Sequence, residues 1–402
     1  MMLKFEIKKV FSKARNKVAV LVLLVVLVVV SMLTINRIEY TDASGNSSTG
    51  ITAATKLRQD RNQWAGYLTK DVFKTVYRQR NEIVSQKTSN SIEEENKLFH
   101  QIQGTEAIAD LINNANSPWQ EYDYYAIEKI SEDDAANVYE KRISNLKDWL
   151  ASGEEHFSKA EQDFLIKQYQ DLKTPFYYEY FDGWSALLQN LPTFMMILAL
   201  FIGYFIADIF SNEFQTKADS IYFSTKLGRN KAIWSKIGAG FLITTVTFIV
   251  FVTLYTIGVL LVCGIDGMNC PIQFVFWRSC YNITIFQTYL LLVLAGYIGT
   301  LFAAVVAMLA SALTRSTVIA IMMPFIILCA FPFLSRIMPL PEICSFFPDR
   351  LLDAYNEIRN IGLVEIKGHV TTILNIIMPV YTVVSLILIP VIYQRYKKIQ
   401  IK

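Results

Sequence analysis

The side chains best suited to chemistry in this chain are polar groups that interrupt or flank long apolar segments. An ionisable or amide group inside hydrocarbon costs free energy. It is therefore expected either to serve the passage of an ion or substrate, or to lie near the interface where water reaches it. No apolar segment carries the series of acids and bases that a proton relay requires. The candidate intramembrane polar residues are Asp208, Gln287, Arg336 and Asn375.

Motifs for enzymatic chemistry are absent from the sequence. It contains no G-x-x-x-x-G-K-[ST] loop that would hold nucleotide phosphates, no H-E-x-x-H zinc motif and no G-x-S-x-G nucleophile elbow. The three histidines, His100, His156 and His369, are isolated in sequence, and no cysteine spacing resembles a zinc site. We therefore predict that this chain is not an enzyme and holds neither a metal nor a cofactor.

Six apolar segments have the length of membrane-spanning helices. Each is close to or longer than the ~20 residues that a helix needs to cross ~30 Å of hydrocarbon. The first is longer than the core of a signal peptide and no small-residue cleavage site follows it, so we expect a retained span. The predicted fold class is an all-α integral membrane protein with six transmembrane helices. The segments are Val18–Ile35, Pro192–Phe210, Ile237–Cys263, Ile285–Ala312, Thr317–Leu334 and Val370–Tyr393.

The distribution of charge predicts the topology. Residues 1–17 carry six basic side chains against one acid, 211–236 carry five against two, and 394–402 carry four against none. Residues 36–191 hold 17 basic and 25 acidic side chains, a net charge of −8 (17 − 25). Because basic flanks remain on the cytoplasmic side, we expect both termini and 211–236 in the cytoplasm of a plasma-membrane protein, with 36–191 outside.

The polar segment between the first two spans is predicted to be a mostly helical extracellular domain, since its apolar residues recur at helical spacing. One such stripe is Trp64, Leu68, Val72 and Val76. The small polar residues 41–50 indicate a linker, and breaks are expected at 116–118 and 152–153. The predicted organisation is an amphipathic interfacial helix (1–17), the first span (18–35), the extracellular domain (36–191), five further spans with the connection 211–236 (192–393), and a basic tail (394–402).

Aromatic residues of the polar segment could line a peptide site, or they could pack a helical core. The candidate substrate contacts are Trp119, Tyr124, Tyr125 and Tyr178. By its overall field, a domain of net charge −8 would favour cationic peptides.

The five cysteines leave two alternatives open. On the predicted topology Cys263, Cys270, Cys280 and Cys344 lie at the outer face, and Cys329 lies within a span. A disulfide such as Cys270–Cys280 is permitted there, and free thiols in apolar loops are the alternative. The spacing does not choose between pairings.

The connection between the second and third predicted spans, residues 208–241, is too long for a tight turn. It combines charged residues with the apolar side chains of Ile221, Tyr222, Phe223 and Trp234. These features predict a short helix along the membrane surface, exposed to the cytoplasm. Such a helix would suit docking of a soluble partner, and an amphipathic connector without a partner is the alternative.

This connection resembles the cytoplasmic signature of ABC-2-type permeases, the membrane subunits of one class of ATP-driven exporter. Glu213 matches the glutamate that follows the second span in that family. Ser224 and Thr225 match a hydroxyl pair, Arg229 a basic residue, and Lys236 the lysine that leads into the third span.

Other features of the chain agree with the family in part. The N-terminal interfacial helix, the six spans and the Phe347-Pro348 segment before the last span are similar to the family pattern. Two positions depart from it, since Lys226 stands where proline is usual and Ala218 where glycine is common.

The resemblance implies a division of labour. A separate cytoplasmic ABC ATPase would bind ATP and Mg²⁺ and dock on the connection. The permease would pair with a second copy or a related permease within the lipid, with no role for nucleic acid. The implied coupling residues are Glu213, Thr216, Asp219, Tyr222, Phe223 and Arg229.

The expected function is that of a permease subunit that exports or clears a substrate. An extracellular domain after the first span is similar to that of permeases for antimicrobial or signalling peptides, and also to some that extrude sodium. A peptide or antimicrobial substrate is the preferred expectation, with extrusion of sodium or a small molecule as the alternative. A non-transporting membrane sensor with an extracellular ligand-binding domain is the alternative outside transport.

Overall fold

The structure is a computed structural model that describes residues 2–88, 91–225, 227–331 and 341–399 of the chain. Most of these residues are helical. The helices are α1 Met2–Phe11, α2 Ala14–Ile35, α3 Ile51–Asn62, α4 Lys70–Val84, α5 Ile92–Ile102, α6 Glu106–Asn116, α7 Ala126–Lys129, α8 Glu132–Ala136, α9 Val138–Ser152, α10 Lys159–Gln170, α11 Asp182–Ile206, α12 Asn212–Gln215, α13 Asp219–Ser224, α14 Lys231–Cys263, α15 Ile285–Thr314, α16 Thr317–Phe325, α17 Pro341–Cys344, α18 Asp349–Leu352, α19 Ala354–Arg359 and α20 Ile373–Lys397.

Within the described residues, five helices are long and apolar enough to cross a membrane: α2, α11, α14, α15 and α20. They identify a membrane-embedded protein and agree with five of the six predicted spans. The remaining predicted span, Thr317–Leu334, begins with α16 and continues as a π-helical turn, Ile326–Ala330, which together form a shorter apolar helix. The end of this predicted span, from residue 332, lies outside the described residues.

Helix α11 lies at the centre of the bundle and packs against α2, α14, α15 and α16. It begins ten residues before the predicted span because residues 182–191, which mix polar and apolar side chains, pack one apolar face, with Leu187, Leu188 and Leu191 fully buried. Hydroxyl pairs join the helices where backbone groups are already satisfied. Examples are Thr34 with Tyr255 (2.7 Å, α2 to α14) and Thr245 with Tyr297 (2.7 Å, α14 to α15).

The polar segment consists mainly of α3–α10, and the predicted breaks occur where α6 ends at Asn116 and α9 ends at Ser152. Two details were predicted wrongly. Residues 41–50 are not a linker, since a hairpin forms there whose Thr41 N–H donates to Gln103 Oε1 (3.1 Å). The stripe from Trp64 to Val76 is interrupted by a short strand. The antiparallel strand pairs are β1 Glu39–Thr41 with β2 Ser47–Thr49, β3 Gly66–Tyr67 with β4 Tyr177–Tyr178, and β5 Leu363–Ile366 with β6 His369–Thr372.

The connection before α20 returns into the bundle. Helix α18 packs against α15, where Leu351 lies over Gly299 near the middle of that helix. A side chain at position 299 would meet the Leu351 Cβ at 3.1 Å, so the glycine permits this approach. The short helices α18 and α19 are therefore partly inside the bundle and are not a surface loop.

Candidate functional site

Four charged residues form a buried cluster where the chain passes from α11 to α14. The Glu213 carboxylate accepts hydrogen bonds from Lys236 Nζ (2.8 Å) and from Lys9 Nζ. Lys236 is fully buried; its Nζ also donates to the Ile209 carbonyl (2.6 Å) and lies 3.4 Å from the Glu6 carboxylate. We call Glu6, Lys9, Glu213 and Lys236 the buried charge cluster. It joins α1, α12 and α14, which are far apart in sequence.

A second buried carboxylate, Asp208, strengthens the same connection. It forms ion pairs with Lys13 and Arg15, and Lys13 also donates to the Asn212 side chain (2.6 Å). Asp208 is only 2% exposed, and a carboxylate so buried requires such partners. The N-terminal segment is therefore held to residues 208–213 by two separate sets of ion pairs.

Apolar contacts place α1 against the bundle and so bring Lys9 to Glu213. Val10 is buried, the ring of Phe11 lies 5.7 Å from that of Phe205, and Leu3 lies beside Gly238 of α14. The apolar face of the predicted amphipathic helix therefore packs against protein.

The electrostatics of the cluster keep Glu213 ionised. Burial alone would raise the pKa of this carboxyl, but the charges of Lys236 and Lys9 and their hydrogen bonds outweigh it, so the pKa lies below its usual value. One carboxylate oxygen, Oε2, is buried and has no hydrogen-bond partner among the residues that the structure describes. The ion pairs of Glu213 with Lys9 of α1 and Lys236 of α14 therefore join these two helices to α12.

The end of α20 contacts the same connection. The Tyr396 ring packs against Phe210 (4.8 Å between centroids) and Phe223 (5.2 Å), and its hydroxyl donates to the Phe210 carbonyl (3.2 Å). Arg229 donates to the carbonyls of Lys397 (3.0 Å) and Ile399 (3.1 Å). The connection between α11 and α14 is thus bound to both terminal segments.

An open groove of about 730 Å³ lies between α1 and α13, above the buried charge cluster. We call it the terminal groove. Its apolar side chains are exposed, with Phe5 at 65%, Ile221 at 72% and Leu227 at 45% of full exposure. Residues that line it include Met2, Phe5, Glu6, Lys9, Asn212, Glu213, Thr216, Ala218, Ile221, Tyr222, Thr225 and Leu227.

The structure distributes the implied coupling residues differently from the expectation. Glu213 and Phe223 are buried and make contacts within the chain, so their role in docking a partner stays a prediction. Arg229 is half-buried and donates to its own chain. Thr216 is exposed, and Tyr222 is half-buried with a hydroxyl that has no hydrogen-bond partner within the described part of the chain. Asp219 is half-buried at the first turn of α13.

Sequence reasoning missed Phe5, Ile221 as an exposed groove residue, and Lys9 as a partner of Glu213. The apolar residues of 1–17 at helical spacing identified the packed face of α1, whereas Phe5 lies on the other face. The sequence signal that could have identified Phe5 is its position among the lysines of this segment, away from the apolar stripe. Glu213 and Lys9 are 204 positions apart in the sequence, and no local pattern predicts that they pair.

The described candidate intramembrane polar residues all lie at helix ends. Asp208 is ion-paired just after α11. Gln287 is exposed in the first turn of α15, where it forms a capping box with Thr284. Asn375 is exposed in the first turn of α20 and donates to the Thr371 hydroxyl (3.1 Å). Arg336 lies outside the described residues.

Two of the four candidate substrate contacts pack the protein interior. Trp119 stacks on Trp149 at 4.5 Å, and Tyr178 is fully buried among aromatic rings. Tyr124 and Tyr125 are exposed, at 74% and 63%. Tyr124 belongs to a cleft of about 540 Å³ far from the terminal groove, which we call the outer cleft. Its lining includes Asp110, Asn114, Gln120, Tyr122, Tyr124, Gln273, Trp277, Arg278, Arg359 and Asn360.

All five cysteines are free thiols, so the open question of an outer disulfide is answered in favour of thiols in packed surroundings. Cys270 Sγ, for example, accepts a hydrogen bond from the Glu179 N–H (3.2 Å). In the described part of the chain, no group of three or more His, Cys, Asp or Glu side chains is arranged to hold a metal ion.

Comparisons with protein-family models, with curated proteins and with solved structures give no significant match to this chain.

Proposed function

We propose that this protein is the permease subunit of an ATP-driven exporter of the ABC-2 type, energised by a separate cytoplasmic ATPase. The observation that carries the proposal is the terminal groove above the buried charge cluster. It lies in the segment whose residues resemble the family signature, and it presents exposed apolar side chains that a soluble partner could cover.

The buried charge cluster supports a route for the energy. A partner that pushes on α13 would act on the connection that holds Glu213, and Glu213 is bonded to Lys236 near the start of α14. Helix α14 has 33 residues and extends ~50 Å, long enough to carry a displacement across a membrane. Ion pairs at one end of α14 would pass a displacement of the connection to this helix, because tightly packed elements transmit strain.

The proposal includes a topology. Both terminal segments meet the α11–α14 connection, and these regions carry the excess of basic residues, which the positive-inside rule assigns to the cytoplasm. The six spans would then be α2, α11, α14, α15, the segment from Thr317, and α20, with the polar helices outside. The exposed apolar sides of α2 and α20 would meet lipid or a second permease.

The substrate we propose is a peptide, including antimicrobial peptides, presented to or released from the outer side. ATP and Mg²⁺ would be held by the partner, and this chain would supply the path and the docking surface.

The test is a charge introduced into the terminal groove. Ile221→Asp places a carboxylate among apolar groove residues, and Ile51→Asp makes the same change at an exposed isoleucine of the polar segment. We expect normal abundance of both variants. The ATP-binding partner should be recovered with the wild-type chain and with Ile51→Asp, whereas Ile221→Asp should lose most of it. Equal recovery with all three chains, or no ATP-binding protein with any of them, would count against the proposal.

A further inference from the structure

The outer cleft is assembled from three segments that are far apart in sequence. The Arg142 guanidinium donates to the carbonyls of Trp277 (3.3 Å) and Ser279 (3.1 Å). The Tyr169 hydroxyl donates to the Arg278 carbonyl (2.8 Å), and the Ser279 hydroxyl donates to the Ile358 carbonyl (2.9 Å). These bonds fix residues 276–279 against α9 and α10 and hold the end of α19 beside them. The cleft is therefore a built feature of the fold.

Two arginines lie in the cleft without an acidic partner. In the described residues, neither the Arg278 nor the Arg359 guanidinium takes part in an ion pair or hydrogen bond, and Arg278 lies over the Trp119 ring at 4.9 Å. The one acidic residue that lines the cleft, Asp110, accepts a hydrogen bond from the Tyr122 hydroxyl (2.7 Å). Burial raises the pKa of Asp110 while the hydrogen bond from Tyr122 opposes that shift, and the two arginines outnumber this one carboxylate in the cleft lining. The cleft is thus locally positive within a polar segment of net charge −8.

Aromatic side chains form the other part of the lining. The rings of Tyr122 and Tyr124 meet edge to face at 4.6 Å, and Trp277 lies on the segment that carries Arg278. The volume, about 540 Å³, falls within the ~300–1,000 Å³ typical of small-ligand pockets. Arginines that lack partners beside aromatic faces are suited to a carboxylate attached to an aromatic or apolar group.

We propose that the outer cleft binds an acidic peptide segment, with its carboxylates at Arg278 and Arg359 and an aromatic side chain against Tyr122, Tyr124 and Trp277. The overall charge of the polar segment suggests a preference for cationic peptides. The cleft should have the opposite preference, because Arg278 and Arg359 are the charges nearest to a ligand bound there and act on it most strongly. The inference goes beyond the exporter proposal, since binding at this site requires no ATPase and no assumption about the transport direction.

The experiment measures binding of two probe peptides to the full chain in nanodiscs of zwitterionic lipid, by isothermal titration calorimetry. The probes are acetyl-Glu-Trp-Glu-Glu-amide and its counterpart acetyl-Lys-Trp-Lys-Lys-amide. The variant is Arg278→Gln together with Arg359→Gln. The matched control is Arg78→Gln, which removes a positive charge at an exposed site that pairs with Glu132, outside the cleft. Thermal unfolding of each variant checks that it remains folded.

We expect the acidic peptide to bind the wild-type chain and Arg78→Gln with equal affinity, and at least ~10-fold more tightly than the basic peptide. The double variant should lose ~10-fold or more of the affinity for the acidic peptide, since two charge-assisted contacts are removed. Should the double variant fail to fold, the single variant Arg359→Gln, at an exposed side chain, gives the same comparison with a smaller loss. A preference for the basic peptide, an absence of binding, or equal affinity in folded cleft variants would overturn the inference. Recovery of the ATPase is not measured here, so failure of this test and failure of the exporter proposal are distinguishable.

Discussion

Substitution of Glu213 by glutamine tests how the N-terminal helix is held. The change keeps the shape of the side chain and removes its negative charge. Lys236, which is fully buried, would lose its nearest carboxylate at 2.8 Å and keep the Ile209 carbonyl at 2.6 Å and the more distant Glu6 carboxylate at 3.4 Å. Removal of one member of a buried ion pair costs about 3–5 kcal/mol. We expect about 3 kcal/mol, the lower end, because glutamine can still accept a hydrogen bond.

The local consequence should be release of α1, which is measurable without a full unfolding experiment. Val10 lies on the packed face of α1 and is 3% exposed, so a Val10→Cys thiol should react slowly with a maleimide. Adding Glu213→Gln should raise the labelling rate of this thiol, quantified by mass spectrometry of the peptide that contains it. A third variant that also carries Lys236→Met removes the unpaired charge and should recover much of the protection, because a buried pair can be replaced by apolar groups at little cost.

The control is Glu93→Gln, which removes the same charge from an exposed i,i+4 pair with Lys97 and should leave the labelling of Val10→Cys unchanged. The reasoning is refuted if Glu213→Gln leaves both the unfolding free energy, within about 0.5 kcal/mol, and the Val10→Cys labelling rate at their starting values. Such a result would mean that α1 is held by its apolar contacts alone.

Three further predictions concern the packing of α11, the pH dependence of the Glu213 contacts and the proposed topology. Gly183→Ala should destabilise the contact between α11 and α14 by about 1–3 kcal/mol, because the new Cβ would lie 2.9 Å from Cys263 Cβ. The control in thermal unfolding is Gly258→Ala, whose new Cβ would lie in ordinary contact with Ser31 Oγ at 4.0 Å, and equal effects of the two substitutions would contradict the packing argument. The pKa of Glu213 is lowered in the folded state, so the stability that this ionised carboxylate contributes is present above the ordinary carboxyl pKa of 4.5 and is lost as the pH falls through the lower folded pKa. The labelling rate of Val10→Cys should therefore stay low from pH 8 down to ~5. An increase in the labelling rate within that range would contradict the prediction. On the proposed topology, an impermeant maleimide should label Glu128→Cys from outside intact cells and Gln215→Cys only after permeabilisation, and labelling of both from one side would exclude it.

The sequence was sufficient to predict five of the membrane helices because hydrocarbon imposes a strict requirement on length and polarity. The predicted span Ile285–Ala312 and the helix Ile285–Thr314 begin at the same residue, where Thr284 provides the cap. The early start of α11 escaped prediction because residues 182–191 mix polar and apolar side chains, and only their packing reveals which face is buried.

The candidate site was predictable as a segment, whereas its contacts were not. The resemblance directed attention to residues 211–236, yet it assigned Glu213 to a partner, and the structure pairs it with Lys9 and Lys236 of its own chain. Pairings over such distances depend on the tertiary fold, since nothing in local periodicity encodes them. Arg278 and Arg359 were missed for the same reason: one lies in a loop and the other at the end of α19, and only the fold brings them to one cleft.

Site-specific crosslinking would show whether a separate ATPase docks in the terminal groove, as we propose. A photoreactive benzoylphenylalanine at position 221, in the groove, would be compared in intact cells with the same group at position 257, on the exposed side of α14. We expect position 221 to crosslink to one ATP-binding protein and position 257 not to do so. We also expect the purified complex to hydrolyse ATP, whereas the isolated chain should not. The account is contradicted if no ATP-binding protein crosslinks at position 221, or if the isolated chain itself hydrolyses ATP.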